Sequence, residues 1–211
     1  MMKVLNSVFF RSLKGWGSFG LIKMILYELF YMLKFGLSTF KHIGHKEDIH
    51  SEKDNYNIPT PYIYLNYLKK ILWKYRDFTF IDIGSGSGRV VNFAITTKFE
   101  KIISIEKSKL LSKKLKNKYG NKIIHSELDA TEFTLENHKK ALFYFFESFD
   151  DDIFYEFIQR QITSNDFECV LLVLIYSRKI NNLVKFEKDF VMINQLKFSE
   201  QRQLVILKNK N

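Results

Sequence analysis

Phe80-Ile81-Asp82-Ile83-Gly84-Ser85-Gly86-Ser87-Gly88-Arg89-Val90-Val91 is the stretch that decides the fold. An apolar, strand-like run ends in three glycines at alternate positions, and a helical pattern opens directly after them. Glycines at such a junction allow a tight turn and let a ligand approach the backbone without interference from a Cβ. The N–H groups of the turn and of the helix start are then available to a carboxylate or phosphate. A glycine-rich turn alone is weak evidence for any ligand, so its flanks carry the weight.

From Phe78 onward, strand-like and helix-like segments alternate. Phe78–Ile83, Lys101–Glu106, Lys122–His125, Ala141–Phe146 and Cys169–Tyr176 are the expected strands. Arg89–Phe99, Ser108–Tyr119 and Asp151–Thr163 are the expected crossover helices. Such alternation predicts an α/β fold, a doubly wound and mostly parallel sheet with helices on both faces. Val191–Phe198 and Gln201–Leu207 leave no room for a helix between them, so they are expected to form an antiparallel terminal hairpin. Seven strands result. Residues 58–211 are expected to form this ligand-binding domain, with residues 1–57 as an N-terminal helical extension.

The spacing G-x-G-x-G narrows the ligand. A dinucleotide fingerprint wants Gly or Ala where Arg89 stands, which disfavours a nicotinamide oxidoreductase, and no G-K-[ST] follows to make a P-loop. Glu106 ends the next strand, 22 residues after Gly84. An acid there accepts two hydrogen bonds from the vicinal hydroxyls of an adenosine ribose.

Over residues 59–176 these features resemble the class I methyltransferases that use S-adenosylmethionine. Pro59-Thr60-Pro61-Tyr62 is similar to a segment that precedes the first strand in a bacterial group of that class. Asp82-Ile83-Gly84-Ser85-Gly86 carries a weaker likeness to the seven-stranded histone-lysine methyltransferases. The resemblance implies S-adenosylmethionine as cofactor and residue roles to match. Asp82, Gly84, Ser85, Gly86 and Gly88 would hold its methionine end, Glu106 its ribose, and Asp129 with Ala130 its adenine. The alternative for Asp129 is a helix cap ahead of Thr131. Glu147 and Phe149 stand where the fold presents its acceptor, with Ser148 in a place that often holds proline. Glu147 would orient or deprotonate the acceptor, Phe149 would stack on it, and Tyr62 is a further substrate contact. The acceptor is expected to be a protein side chain or a small molecule. A binding module without turnover is the alternative.

Composition fits these expectations. With 46% hydrophobic and 27% charged residues the 211-residue chain reads as globular. A single cysteine, Cys169, lies in an apolar run and is expected to be a buried structural thiol in a reducing cytoplasm. His42, His45 and His50 lie close together but lack partner ligands, so no metal site is expected. The +10 net charge favours anionic partners. Lys107, Lys109, Lys113, Lys114, Lys116, Lys118 and Lys122 are nevertheless read as a solvated face, not a nucleic-acid surface. In the extension, Leu21, Ile22, Ile25, Leu26, Leu29, Phe30 and Leu33 recur at three- and four-residue spacing. That stripe is expected to pack over the carboxyl ends of the strands as a lid, and no transmembrane segment is expected. A peripheral membrane contact is the alternative.

Overall fold

A computed structural model of the chain describes residues 17–35, 59–146, 151–176, 186–199 and 202–210. Its centre is a seven-stranded sheet of β1 Thr79–Ile83, β2 Lys101–Ile105, β3 Ile124–Ser126, β4 Lys140–Phe146, β5 Cys169–Tyr176, β6 Phe190–Ser199 and β7 Arg202–Asn209. They lie in the order β3-β2-β1-β4-β5-β7-β6. The first five are parallel, and β7 runs antiparallel between β5 and β6. The helices α1 Gly17–Phe35, α2 Tyr62–Leu72, α3 Arg89–Thr97, α4 Lys109–Tyr119 and α5 Asp151–Thr163 complete the described elements together with short 3-10 turns. The expected alternation and the terminal hairpin are both present. Two boundaries move for local reasons. Lys98, with φ of 65°, closes α3 two residues early by donating back to Ala94 and Ile95 carbonyls. Residues 120–122 finish α4 as a 3-10 turn, so β3 begins only at Ile124.

Period-two alternation divides the core between the two faces of the sheet. Phe80, Leu142, Tyr144, Leu171, Val173 and Ile175 point to one face, where α2, α3 and α4 cover them. Ile81, Ile83, Phe143, Phe145, Leu172 and Leu174 point to the other, against Phe157 and Ile158 of α5. β1 is buried along its whole length, as a central parallel strand should be. Helix α4 sinks Leu111, Ser112, Leu115 and Tyr119 and leaves Lys109, Lys113, Lys114, Lys116 and Lys118 in water. Cys169, expected to be buried, opens β5 at its half-exposed end.

One expectation is inverted. The stripe of α1 does not face the domain: Ile25, Leu26, Leu29 and Phe30 are exposed, and Leu33 is 83% exposed. The side chain of Leu21 lies outside the described residues. The opposite face turns inward, carrying Met24, Tyr27, Glu28 and Tyr31. Tyr31 stacks on Tyr62 with ring centroids 4.7 Å apart and donates to Asn66 of α2 at 3.2 Å. Periodicity identifies which side chains share a face, but polar and aromatic contacts here decide which face docks.

Candidate functional site

At the carboxyl end of β1 the chain leaves the sheet through Gly84, whose N–H donates with that of Ser85 to the Ile105 carbonyl. Gly88 closes the turn and begins α3 at φ 81°. A Cβ on Gly88 would lie 2.4 Å from Leu115 Cδ2 and 2.9 Å from Tyr119 Cε2, so glycine is required for α4 to pack here. The Tyr119 hydroxyl donates to the Gly88 carbonyl at 2.9 Å and seals that contact.

Two acids meet at this turn. Glu106, just beyond β2, accepts from Gly86 N–H at 2.7 Å through Oε2 and from Ser108 N–H at 2.9 Å through Oε1. Asp82 lies beneath, fully buried, and its Oδ2 has no hydrogen-bond partner among the described residues. Burial pushes the Asp82 carboxyl up to about 8; Ser85 opposes the rise and the Glu106 charge adds to it. Such an atom is costly to leave alone and is a natural seat for a ligand cation. A line of hydroxyls supports the turn: Ser104 donates to Ser85 at 2.8 Å, and Ser85 to the Asp82 carbonyl at 3.1 Å. His125 on β3 contacts Ser104 and Ser112, and Ser112 donates to the Glu106 carbonyl.

Above the turn sits Pro59-Thr60-Pro61-Tyr62, pinned from three sides. Arg89, the first residue of α3, donates through Nη1 to the Thr60 carbonyl at 2.9 Å and to Glu28 Oε2 at 2.8 Å. Its guanidinium lies 4.2 Å from the centre of the Tyr62 ring. Glu28 Oε1 in turn accepts from Tyr62 N–H at 2.7 Å, capping α2, because Pro61 offers no side-chain acceptor. Thr60 Oγ1 shares a 2.9 Å hydrogen bond with the Tyr144 hydroxyl, and Tyr144 is the β4 partner of Asp82 in register. Tyr62, a candidate substrate contact, is thus a buried member of this clamp, and burial drives its phenol up to about 12.

The structure therefore brings Asp82, the glycine turn and Glu106 together, with Tyr62 bound to them through Arg89. Asp129 is engaged as a cap: Oδ1 accepts from Thr131 N–H and Thr131 Oγ1, with Ala130 opening the 3-10 turn. Its Oδ2 lies 3.9 Å from Lys107 Nζ, next in sequence to Glu106. Glu147, Ser148 and Phe149, like His42, His45 and His50, lie outside the described residues. Glu28, Arg89, Thr60 and Tyr144 went unforeseen in the sequence, although Glu28 stands out as the lone acid among residues 1–46.

No protein-family model matches the sequence, and no curated protein matches it either. Solved structures do. A Haemophilus influenzae protein assigned as a methylase superposes with a TM-score of 0.57 at 12% identity, over 72% of this chain and 100% of its own. Magnesium protoporphyrin IX methyltransferase from Synechocystis, solved with bound S-adenosylmethionine, gives 0.54 at 10% identity, over 70% and 79%. Ribosomal protein L11 methylase from Lactobacillus delbrueckii gives 0.52 at 11%, over 70% and 79%. This is the class I methyltransferase fold. In this methyltransferase fold the parallel order β3-β2-β1-β4-β5 sets the β1 turn and the end of β2 side by side, which is why Glu106 reaches Gly86.

Proposed function

We propose that this chain transfers the methyl group of S-adenosylmethionine to an acceptor that is a protein side chain or a small molecule. The observation that carries this reading is the pair of buried acids at one glycine turn, with Asp82 Oδ2 unpartnered among the described residues and Glu106 accepting from the Gly86 N–H. S-adenosylmethionine fits those groups: an ammonium for Asp82, a carboxylate for the N–H groups of Gly84–Gly88, and a vicinal diol for Glu106. Asp129 and Ala130 are assigned to adenine, and Tyr62 to the acceptor side. The bound cofactor of a protein with this fold, the Synechocystis enzyme, supports the choice.

Bound in this way, S-adenosylmethionine supplies a methyl already activated by its sulfonium. The work left to the chain is placement, exclusion of water and management of one proton. Asp82, itself buried, balances the ammonium, Glu106 fixes the ribose, and Glu147 orients or deprotonates the acceptor with Phe149 as its stacking wall. Calorimetry tests the reading. S-adenosylmethionine and S-adenosylhomocysteine should bind with micromolar affinity, about −8 kcal/mol, and NAD should not. Binding of NAD without either S-adenosyl ligand overturns it. Binding with no labelled methyl passed to any component of a proteome or metabolite extract would reduce the chain to a binding module.

A further inference from the structure

Near the carboxyl ends of β4, β1, β2 and β3 a row of polar side chains runs across the sheet in register. Tyr144 stands beside Asp82, Asp82 beside Ser104, and Ser104 beside His125. Ser104 is fully buried, in a strand that is otherwise apolar after Lys101. A buried hydroxyl is costly unless it is hydrogen-bonded. Ser104 is bonded on both sides, to Ser85 Oγ at 2.8 Å and to His125 Nδ1 at 3.2 Å. The other ring nitrogen of His125, Nε2, lies 2.7 Å from Oγ of Ser112 on α4, a second fully buried hydroxyl.

From this one half-buried ring, two branches run to the two acids at the glycine turn. The first passes through Ser104 and Ser85 and ends on the Asp82 carbonyl, 3.1 Å from Ser85 Oγ. The second passes through Ser112 and ends on the Glu106 carbonyl, also at 3.1 Å. Ser112 has one proton and spends it on that carbonyl, so the ring must donate to Ser112 from Nε2. Burial and then the charge of Lys116 on α4 lower the ring's pKa, while Glu127, 3.9 Å from Lys116, opposes them. The neutral ring keeps Nδ1 as an acceptor, and the Ser104 proton is shared between it and Ser85. We infer that His125 is a positioning residue, which fixes the glycine turn and Glu106 relative to one another through Ser104 and Ser112. That the pair so fixed serves S-adenosylmethionine rests on the proposed function; the link between the ring and the turn does not.

The test is amide hydrogen exchange of the free, full-length protein, followed by S-adenosylmethionine calorimetry. His125→Phe fills the ring's space but offers no hydrogen bond. It should speed exchange of the Ser85 and Gly86 N–H groups about tenfold, with the amides of β4 unchanged. Glutamine places an amide near the position of Nε2, and asparagine near that of Nδ1. His125→Gln should therefore restore Gly86 more than Ser85, and His125→Asn the reverse. Affinity for S-adenosylmethionine should fall about tenfold in His125→Phe and recover in part in the two amide variants. Wild-type exchange rates at Ser85 and Gly86 in His125→Phe overturn the inference, as do amide variants that exchange as fast as His125→Phe. Should His125→Phe fail to fold, Ser104→Ala should loosen Ser85 and Ser112→Ala should loosen Gly86, and neither change appearing overturns it. Wild-type protein that binds no S-adenosyl ligand fails the proposed function, and the exchange rates still decide the role of His125.

Discussion

Glu28 and Arg89 form an ion pair of 2.8 Å whose side chains are 6% and 2% exposed, joining α1 to the first residue after the glycine turn across 61 positions of sequence. Removing one member strands a charge in a dry site and typically costs about 3–5 kcal/mol, whereas removing both together is far milder. Glu28→Ala and Arg89→Ala should each destabilise by about that amount in urea unfolding. Glu28→Met with Arg89→Met should fall well short of their sum. Arg89→Lys should not rescue, because lysine offers neither the forked donors nor a flat cation for the Tyr62 ring.

Gly88→Ala should be among the costly substitutions of the turn. It adds a Cβ at φ 81° into contacts of 2.4 and 2.9 Å with Leu115 and Tyr119. We expect a loss of about 2–4 kcal/mol from overpacking and left-handed strain combined. Adding Leu115→Ala should make the two losses less than additive, since the nearest clashing methyl is then gone. Denaturant midpoints measure both.

Asp82 should make stability depend on pH in an unusual direction. Its carboxyl is held near 8 in the fold by burial and by the Glu106 charge, against 3.8 ordinarily. Between those values the folded chain keeps a proton that the unfolded chain has lost. The stabilisation is therefore complete below about pH 4 and declines as pH rises to about 8, by at most about 1.4 kcal/mol per pH unit. Asp82→Asn cannot ionise, so urea unfolding from pH 4 to 8 should favour the variant increasingly. On the proposed function, S-adenosylmethionine binding by the wild type near pH 7 should release a proton as Asp82 ionises against the ammonium. Calorimetry in buffers of different ionisation enthalpy detects it, and Asp82→Asn should not show it.

On the proposed function, Glu106 holds both the turn and the ribose, and two substitutions separate these tasks. Glu106→Gln keeps an acceptor oxygen for the Gly86 or Ser108 N–H but loses the charge. It should weaken S-adenosylmethionine by about 1.5–3 kcal/mol for each charged hydrogen bond lost, with little change in melting. Glu106→Ala should lose both affinity and melting temperature, because the turn's own N–H groups lose their acceptor.

On the proposed function, Glu147→Gln should cut turnover about 10²–10⁴-fold with S-adenosylmethionine affinity nearly unchanged, because the proposed role of Glu147 is on the acceptor. Phe149→Ala should mainly raise the acceptor's KM. Labelled-cofactor assays on the acceptor found in extracts measure both.

Much of this site is readable in the chain itself, for a local reason. Asp82 and the glycines lie within one strand-turn-helix unit, and Glu106 ends the neighbouring strand, so their meeting follows from the parallel pairing of β1 with β2. Arg89 shows where such reading stops. As the residue after Gly88 it distinguishes the turn from a dinucleotide fingerprint, but its structural partner is Glu28, remote in sequence and outside any motif. The direction of α1 was illegible for a related reason. Seven apolar residues at helical spacing outweigh Tyr27, Glu28 and Tyr31 in any hydrophobic count, yet buried hydrogen bonds to Tyr62 and Arg89 turned the minority face inward.

The place of β7 has a consequence for how the chain assembles. β7 lies between β5 and β6, so β6, although made earlier, has no edge to join until Arg202–Asn209 has paired with Leu171–Tyr176. Until then β5 presents an open, wholly apolar margin, and Val191, Met192 and Ile193 remain on an unpaired strand. Unpaired apolar strands of this kind are the species from which aggregates grow. Refolding yield should therefore fall steeply with protein concentration, and substitutions in Leu204–Leu207 should act on yield before they act on the activity of whatever folds.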